Sequence, residues 1–220
     1  MESALNKIGI FDFFGVFLSG MSFLTICYYL DLPLFDSPQN TNNDIIGIVL
    51  FMLQSYLIGL VFQEISSVID KKLFKIRENA ETSCLDSNST IFDNELELKS
   101  IQKEANVILG IETDSHVYTK TENRFVYQYC KNFLEVSEKS VKVSRMTSLY
   151  AMSRSLFVSL SVCLCFFVKY NLMIFSMKKF MVLLILALLI HIFYERTKRL
   201  YRYKVCIVLR LYTVLKDKNI

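Results

Sequence analysis

Apolar residues in this chain gather in long blocks instead of recurring every third or fourth position. The clearest block runs from Phe180 to Tyr194 and ends abruptly in Glu195-Arg-Thr-Lys-Arg199, with Arg202 and Lys204 just beyond. An apolar run followed at once by cations reads as a membrane helix whose basic end faces the cytoplasm. Three further blocks fit the same reading: Ile8–Leu30, Ile45–Phe62 and Leu149–Val168. The backbone of a membrane span must satisfy its own hydrogen bonds, so each block is predicted to be a helix.

Polar stretches between the blocks set the topology. Asp31–Asp44 holds both prolines, Pro33 and Pro38, with three carboxylates and no cation, which predicts an outward loop. Lys71, Lys72, Lys75 and Arg77 follow the second block and place its end in the cytoplasm. Ile65, Val68, Ile69, Leu73 and Ile76 keep helical spacing, so that helix is expected to continue to about Arg77. Lys169, Lys178 and Lys179 put cations on the opposite side, against the rule. Four spans with both termini cytoplasmic fit the chain most economically.

The long polar segment is predicted to hold helices. Leu96–Leu109 stops at Gly110, a good helix-ending residue. Thr121 is a candidate cap for a second helix with Phe125, Tyr129, Phe133 and Val136 on one face. With no breaker beyond it, that helix is expected to run on into the third span. Ser83–Asp93 reads as a loop, and its Asn88-Ser-Thr90 glycosylation pattern is discounted in a cytoplasmic segment. About 80 residues with few large apolar side chains cannot bury a large core alone, so these helices are expected to pack together or against other subunits.

The expected fold is therefore an all-α integral membrane protein with four transmembrane helices and a small helical cytosolic insertion between helices 2 and 3. Its parts are residues 1–66 (helices 1 and 2), 67–147 (cytosolic segment), 148–195 (helices 3 and 4) and 196–220 (a basic cytosolic helix).

Composition agrees with lipid as solvent: 53% of residues are hydrophobic and mean hydropathy is +0.36. The net charge of +4 is concentrated after the last block. The six cysteines lie in apolar spans or segments read as cytosolic, which does not suggest a disulfide framework. Cys163-Leu-Cys165 lacks a second ligand pair, so no metal is expected.

Chemical signatures are sparse. Phosphate-cradling glycine motifs and the H-E-x-x-H zinc motif are absent, and His116 and His191 are the only histidines. Nothing in the sequence brings His116, Asp114 and a serine together. The chain is expected not to be an enzyme and to need no cofactor. Gly15, Ser19 and Ser22 share one helix face, which suits close helix packing or, with Thr25, a pore-facing stripe. Gln54 and Gln63 suit a neighbouring helix or water. Arg154 suits an interfacial position or an inner vestibule. Ser19, Ser22, Thr25, Gln54, Gln63 and Arg154 are the candidate pore-lining set. His191 is either a helix-interface residue or a proton-sensitive or pore-lining group.

The basic end is the strongest functional signal. Arg196, Lys198, Arg199, Arg202 and Lys204 interleave with Tyr201 and Tyr203. Cations can hold phosphates and tyrosines can stack on single-stranded bases. The same residues suit an amphipathic helix on anionic lipid. A pore built from four small spans needs several copies around an axis, here expected to be a tetramer.

Ile10-Phe-Asp-Phe-Phe-Gly15 leading straight into a span, the cytosolic segment after span two and the basic end give a layout that resembles bacterial anti-phage membrane effectors. It most resembles the Hailong HalB family. That resemblance implies an oligomeric ion channel in the bacterial inner membrane, held closed by single-stranded DNA oligomers from a partner nucleotidyltransferase and depolarising the membrane when released. The layout is also similar to the Kiwa membrane component KwaA, which implies a membrane sensor working with a cytosolic partner; the rival class to a channel is a non-conducting membrane sensor or scaffold that recruits such a partner. No residue role is carried over from either family.

Overall fold

The computed structural model describes residues 2–29, 44–87, 89, 91–92, 94–112, 116–171 and 177–218. The fold is all-helical, 88% helix with no strand among the described residues. Its helices are α1 (Glu2–Tyr29), α2 (Asp44–Ile69), α3 (Ile76–Thr82), α4 (Glu95–Leu109), α5 (Lys120–Val136), α6 (Val141–Asn171) and α7 (Met177–Lys218). A five-residue π-helical turn, Asp70–Phe74, follows α2. Three helices are long and apolar enough to cross a membrane, within Ile45–Phe74, Val141–Tyr170 and Lys179–Lys216, and α1 carries a shorter apolar stretch over Gly15–Tyr29. The proline loop 31–43, Asn88, Thr90, Asp114 and the Lys178 side chain lie outside the described residues.

The chain forms two compact units, residues 1–69 with 148–197 and residues 70–147 with 198–220. The first unit holds α1, α2, most of α6 and the first part of α7. Of the three long apolar stretches, that of α6 is 44% buried, against 22% for α2 and 11% for α7. Thus α6 is the inner helix and the other two turn most of their apolar surface outward. Phe23, Leu24, Cys27, Phe62, Val158 and Cys163 join α1, α2 and α6 in one core, and Leu160, Phe167 and Leu186 join α6 to α7.

Small and hydroxyl residues let these helices approach. A Cβ on Gly20 would stand 1.7 Å from the Ser55 carbonyl oxygen, and one on Gly59 would stand 2.0 Å from that of Val16. The α1–α2 contact is therefore backbone on backbone, as small residues permit in apolar bundles. Ser159 Oγ donates to the Ser19 carbonyl at 3.0 Å, tying α6 to α1. Ser153 Oγ donates to the Phe193 carbonyl at 3.3 Å, and Thr197 Oγ1 lies 3.1 Å from Ser153 Oγ, tying α6 to α7.

The second unit holds the π turn, α3, α4, α5, the start of α6 and the end of α7. Val205, Val208 and Leu209 are buried almost completely, as are Tyr201, Cys206 and Ile207. That end of α7 continues the helix that begins at Met177 and is a core element of the unit. Its Tyr212 packs edge-on against Tyr129 and Phe133 of α5. Arg210 pairs with Glu97, and Lys216 with Glu104.

Two predicted continuous helices are broken. After α2 the winding loosens at Asp70–Phe74, and Lys75 adopts φ 48°, so the helix does not run smoothly to Arg77. After α5, Glu138 takes φ 56° and α6 starts afresh at Val141. Lys139 N donates to the Leu134 carbonyl at 3.1 Å and Glu138 N to that of Glu135 at 3.3 Å, a Schellman ending. The same ending closes α4 at Gly110, as its position predicts, with Ile111 N donating to the Asn106 carbonyl at 2.9 Å. The cap of α5 is Thr119, not Thr121. Glu122, three residues on, returns a bond to the Thr119 N–H and completes a capping box.

Candidate functional site

In the second unit, polar groups converge where the π turn meets α3 and α5. Asp70 is almost wholly buried. Its Oδ1 accepts the Ile76 N–H at 3.2 Å, and its carbonyl accepts the Lys75 N–H at 2.7 Å. This clasp holds Lys75 in the left-handed region, a conformation costing a non-glycine residue about 1–2 kcal/mol. It also turns the chain so that Lys71, Lys75, Arg77 and Glu78 border one cavity with Asp70, Glu81 and Arg124. The cavity volume is about 330 Å³.

Glu81 is the inner wall. Its side chain is 3% exposed, with Arg77 Nε 3.0 Å from Oε1 and Arg124 Nε 3.8 Å from Oε2. The Tyr201 hydroxyl donates to Oε1 from the other side. Beside them Tyr127 is buried on α5, and burial pushes its phenol above the ordinary range. Lys204 packs its ammonium over the Tyr201 ring, 5.1 Å from the centroid.

A second polar cluster fixes the loop after α3. Asn123 is fully buried and fully used: Oδ1 accepts the Leu85 N–H at 2.7 Å, and Nδ2 donates to Asp86 Oδ1 at 3.0 Å and to the Thr119 carbonyl at 3.2 Å. Gln102 Nε2 donates to the Leu85 carbonyl at 2.7 Å, and the Tyr118 hydroxyl to Asn106 Oδ1 at 2.7 Å. Satisfied buried networks of this kind rigidify what they join. Cys84 and Cys130 lie within the unit, and burial raises both thiols to about 12. They are structural, since an attacking sulfur must be a thiolate. Among the described residues no three metal-ligating side chains converge.

The residues singled out from sequence are scattered. Within the basic set, Tyr201 is 1% exposed and Lys204 7%, so both face the core and neither offers a surface to a base or a phosphate. Arg196, Arg199, Arg202 and Tyr203 are exposed, and Lys198 is half-buried. Of the first-unit set, Ser19 is buried and donates to the Val16 carbonyl at 2.8 Å, in the packed interior. Ser22 bonds its own helix at the Leu18 carbonyl, 2.7 Å away. Thr25 and Gln54 are exposed, and Gln63 is half-buried with its carbonyl accepting from Ser66 Oγ at 2.8 Å. Arg154 Nε donates to Ser66 Oγ at 3.1 Å, its guanidinium 5.3 Å from the Tyr150 ring centroid. His191 is on the outer surface of its helix.

Sequence reasoning used Lys71, Lys75 and Arg77 only as topology markers and passed over Glu81 and Arg124. A carboxylate at i+4 from Arg77 was the available signal. Its burial depends on α5 and α7, which are distant in sequence. No protein-family model, curated protein or solved structure matches this chain.

Proposed function

We propose that this protein is a homo-oligomeric membrane effector that forms a ligand-gated ion channel in bacterial anti-phage defence, as its resemblance to the Hailong HalB family implies. In this reading α1, α2, α6 and the first part of α7 all cross the inner membrane, and both termini are cytoplasmic. Several copies, taken as a tetramer, surround the pore. The second unit receives the signal, single-stranded DNA oligomers from a partner nucleotidyltransferase, and their release opens the channel and depolarises the membrane. No catalytic step and no cofactor is involved.

The observation that carries the reading is the pairing of an apolar unit with outward apolar faces and a folded polar unit with a charged cavity. Ile48, Val49, Met52 and Leu53 on α2 and Met181, Leu184, Ile185 and Leu188 on α7 are all exposed. Such faces require lipid or further copies of the chain. A pore that opens on a signal also needs a soluble-facing element able to bind one, and the cavity beside Glu81 supplies it.

The alternative is a non-conducting membrane sensor or scaffold that recruits a cytosolic partner, in line with the sensor that the Kiwa resemblance implies. It is favoured by the exposed apolar stripe Phe125, Tyr129 and Val136 on α5, a face on which a partner could dock. Ion flux from liposomes holding the purified protein, with and without short single-stranded DNA, separates the two. Flux that the oligomer blocks is expected. Folded, oligomeric protein that conducts under neither condition would overturn the channel in favour of the sensor.

A further inference from the structure

We propose that the cavity bordered by the π turn, α3 and α5 is a binding site for a phosphomonoester dianion, supplied by a nucleotide or by the phosphorylated end of an oligonucleotide. The proposal rests on the reading above for the source of the phosphate; the site itself rests on the cavity. Four cations, Lys71, Lys75, Arg77 and Arg124, line it with three carboxylates, Asp70, Glu78 and Glu81. Two of those carboxylates are turned inward. Asp70 is 1% exposed and holds the Ile76 N–H, and Glu81 is 2% exposed and holds Arg77 and Tyr201. That leaves Glu78 as the exposed acid against four exposed cations.

Those cations are ready to bind. Lys71 and Lys75 form no ion pair among the described residues. Arg124 stands 3.8 Å from Glu81, too far for a hydrogen bond, so turning it toward a ligand breaks none there. Arg77 is held to Glu81, and its side chain is still 56% exposed. Glu81 is already matched by Arg77, and the lining as a whole keeps one positive charge in excess, four cations against three carboxylates. A phosphomonoester carries about −1.5 to −2 at pH 7 and offers three acceptor oxygens, enough to engage the lysines and Arg124 together. The volume of about 330 Å³ lies at the small end of ligand sites and suits a phosphate with one sugar or base.

The test is calorimetric titration of the full-length protein in neutral detergent. The probes are inorganic phosphate, a mononucleotide, a six-nucleotide single strand with and without a 5′-phosphate, and micelles doped with phosphatidic acid. The phosphorylated strand is expected to bind at least about tenfold more tightly than the unphosphorylated one, with the mononucleotide competing. Lys71→Gln and Lys75→Gln should each weaken it about tenfold, the loss of one charge-assisted bond, without moving the unfolding temperature. Affinity should also fall below about pH 6, where the phosphate takes its second proton. Equal binding of the two strands, binding unchanged in both lysine variants, or binding of phosphatidic acid alone would each overturn the proposal. Oligomer-blocked flux with no dependence on the phosphate or the lysines would remove this site and leave the channel standing. Phosphate binding at the lysines without any flux would do the reverse.

Discussion

At the residue scale, both left-handed helix endings can be tested against each other. Gly110 at φ 69° has open space where a Cβ would stand, so Gly110→Ala carries only the backbone cost and should destabilise the second unit by about 1 kcal/mol. Glu138 has the same role at φ 56° with the wrong residue, so Glu138→Gly should stabilise by about 1 kcal/mol. Thermal unfolding of the two variants gives both signs. The sequence announced the first ending because glycine occupies it, and hid the second because glutamate does. The Thr119 box offers a pH test. Hydrogen bonds from the Thr119 backbone and hydroxyl, and from His116, hold the Glu122 carboxyl below its usual value. A depressed folded value gives stability that is full above the unfolded value near 4.3 and is lost as pH falls through the folded one. Glu122→Gln keeps the box but cannot titrate. Its unfolding curve should therefore be flatter than the parent's below about pH 5.

At the element scale, block hydrophobicity located the apolar helices, because lipid imposes that pattern on a span irrespective of its neighbours. It could not say which face of α1 packs. Gly15 and Ser19 do lie on a packed face, while Gly20, one residue on, makes the tightest approach. A methyl group on Gly20 or Gly59 would overlap a backbone carbonyl that cannot swing aside. Gly20→Ala and Gly59→Ala should each cost about 1–3 kcal/mol by overpacking, read as a lower unfolding temperature in detergent. Gly15→Ala meets Met152 Cβ at 3.2 Å, a side-chain contact, and should cost less. Helix α5 shows the opposite limit of pattern reading. The apolar stripe Phe125, Tyr129 and Val136 faces outward, while Asn123, Val126, Tyr127, Cys130 and Leu134 form the buried face. One of those buried residues, Asn123, carries no hydrophobic signal. Asn123 is inside because the loop after α3 saturates its amide.

For the whole molecule, the decisive difference between sequence and structure is the end of α7. Dense cations suggest a basic helix lying as a peripheral arm on anionic lipid or nucleic acid, yet its cations and its apolar residues do separate work. Arg210 and Lys216 close salt bridges onto α4, while Tyr201, Val205, Val208 and Leu209 fill the middle of the second unit. Nothing local to residues 198–218 reveals this, because the partners lie about a hundred positions earlier. A peripheral arm and a core helix respond differently to removal. Deleting 198–220 from an arm would weaken lipid or nucleic-acid binding and leave residues 70–147 folded. Deleting a core helix breaks the salt bridges to α4, uncovers the aromatic contacts on α5 and leaves Glu81 without its tyrosine. The expected outcome is that the truncated protein loses at least about tenfold in hydrogen-exchange protection across α4 and α5, equivalent to 1.4 kcal/mol or more. Cys84 and Cys130, slow to alkylate in the intact protein because burial keeps them as thiols, should react rapidly in the truncated one. Unchanged protection and unchanged thiol reactivity would return the segment to the role of an arm. The cavity beside Glu81 would then have to keep its shape without Tyr201 behind it.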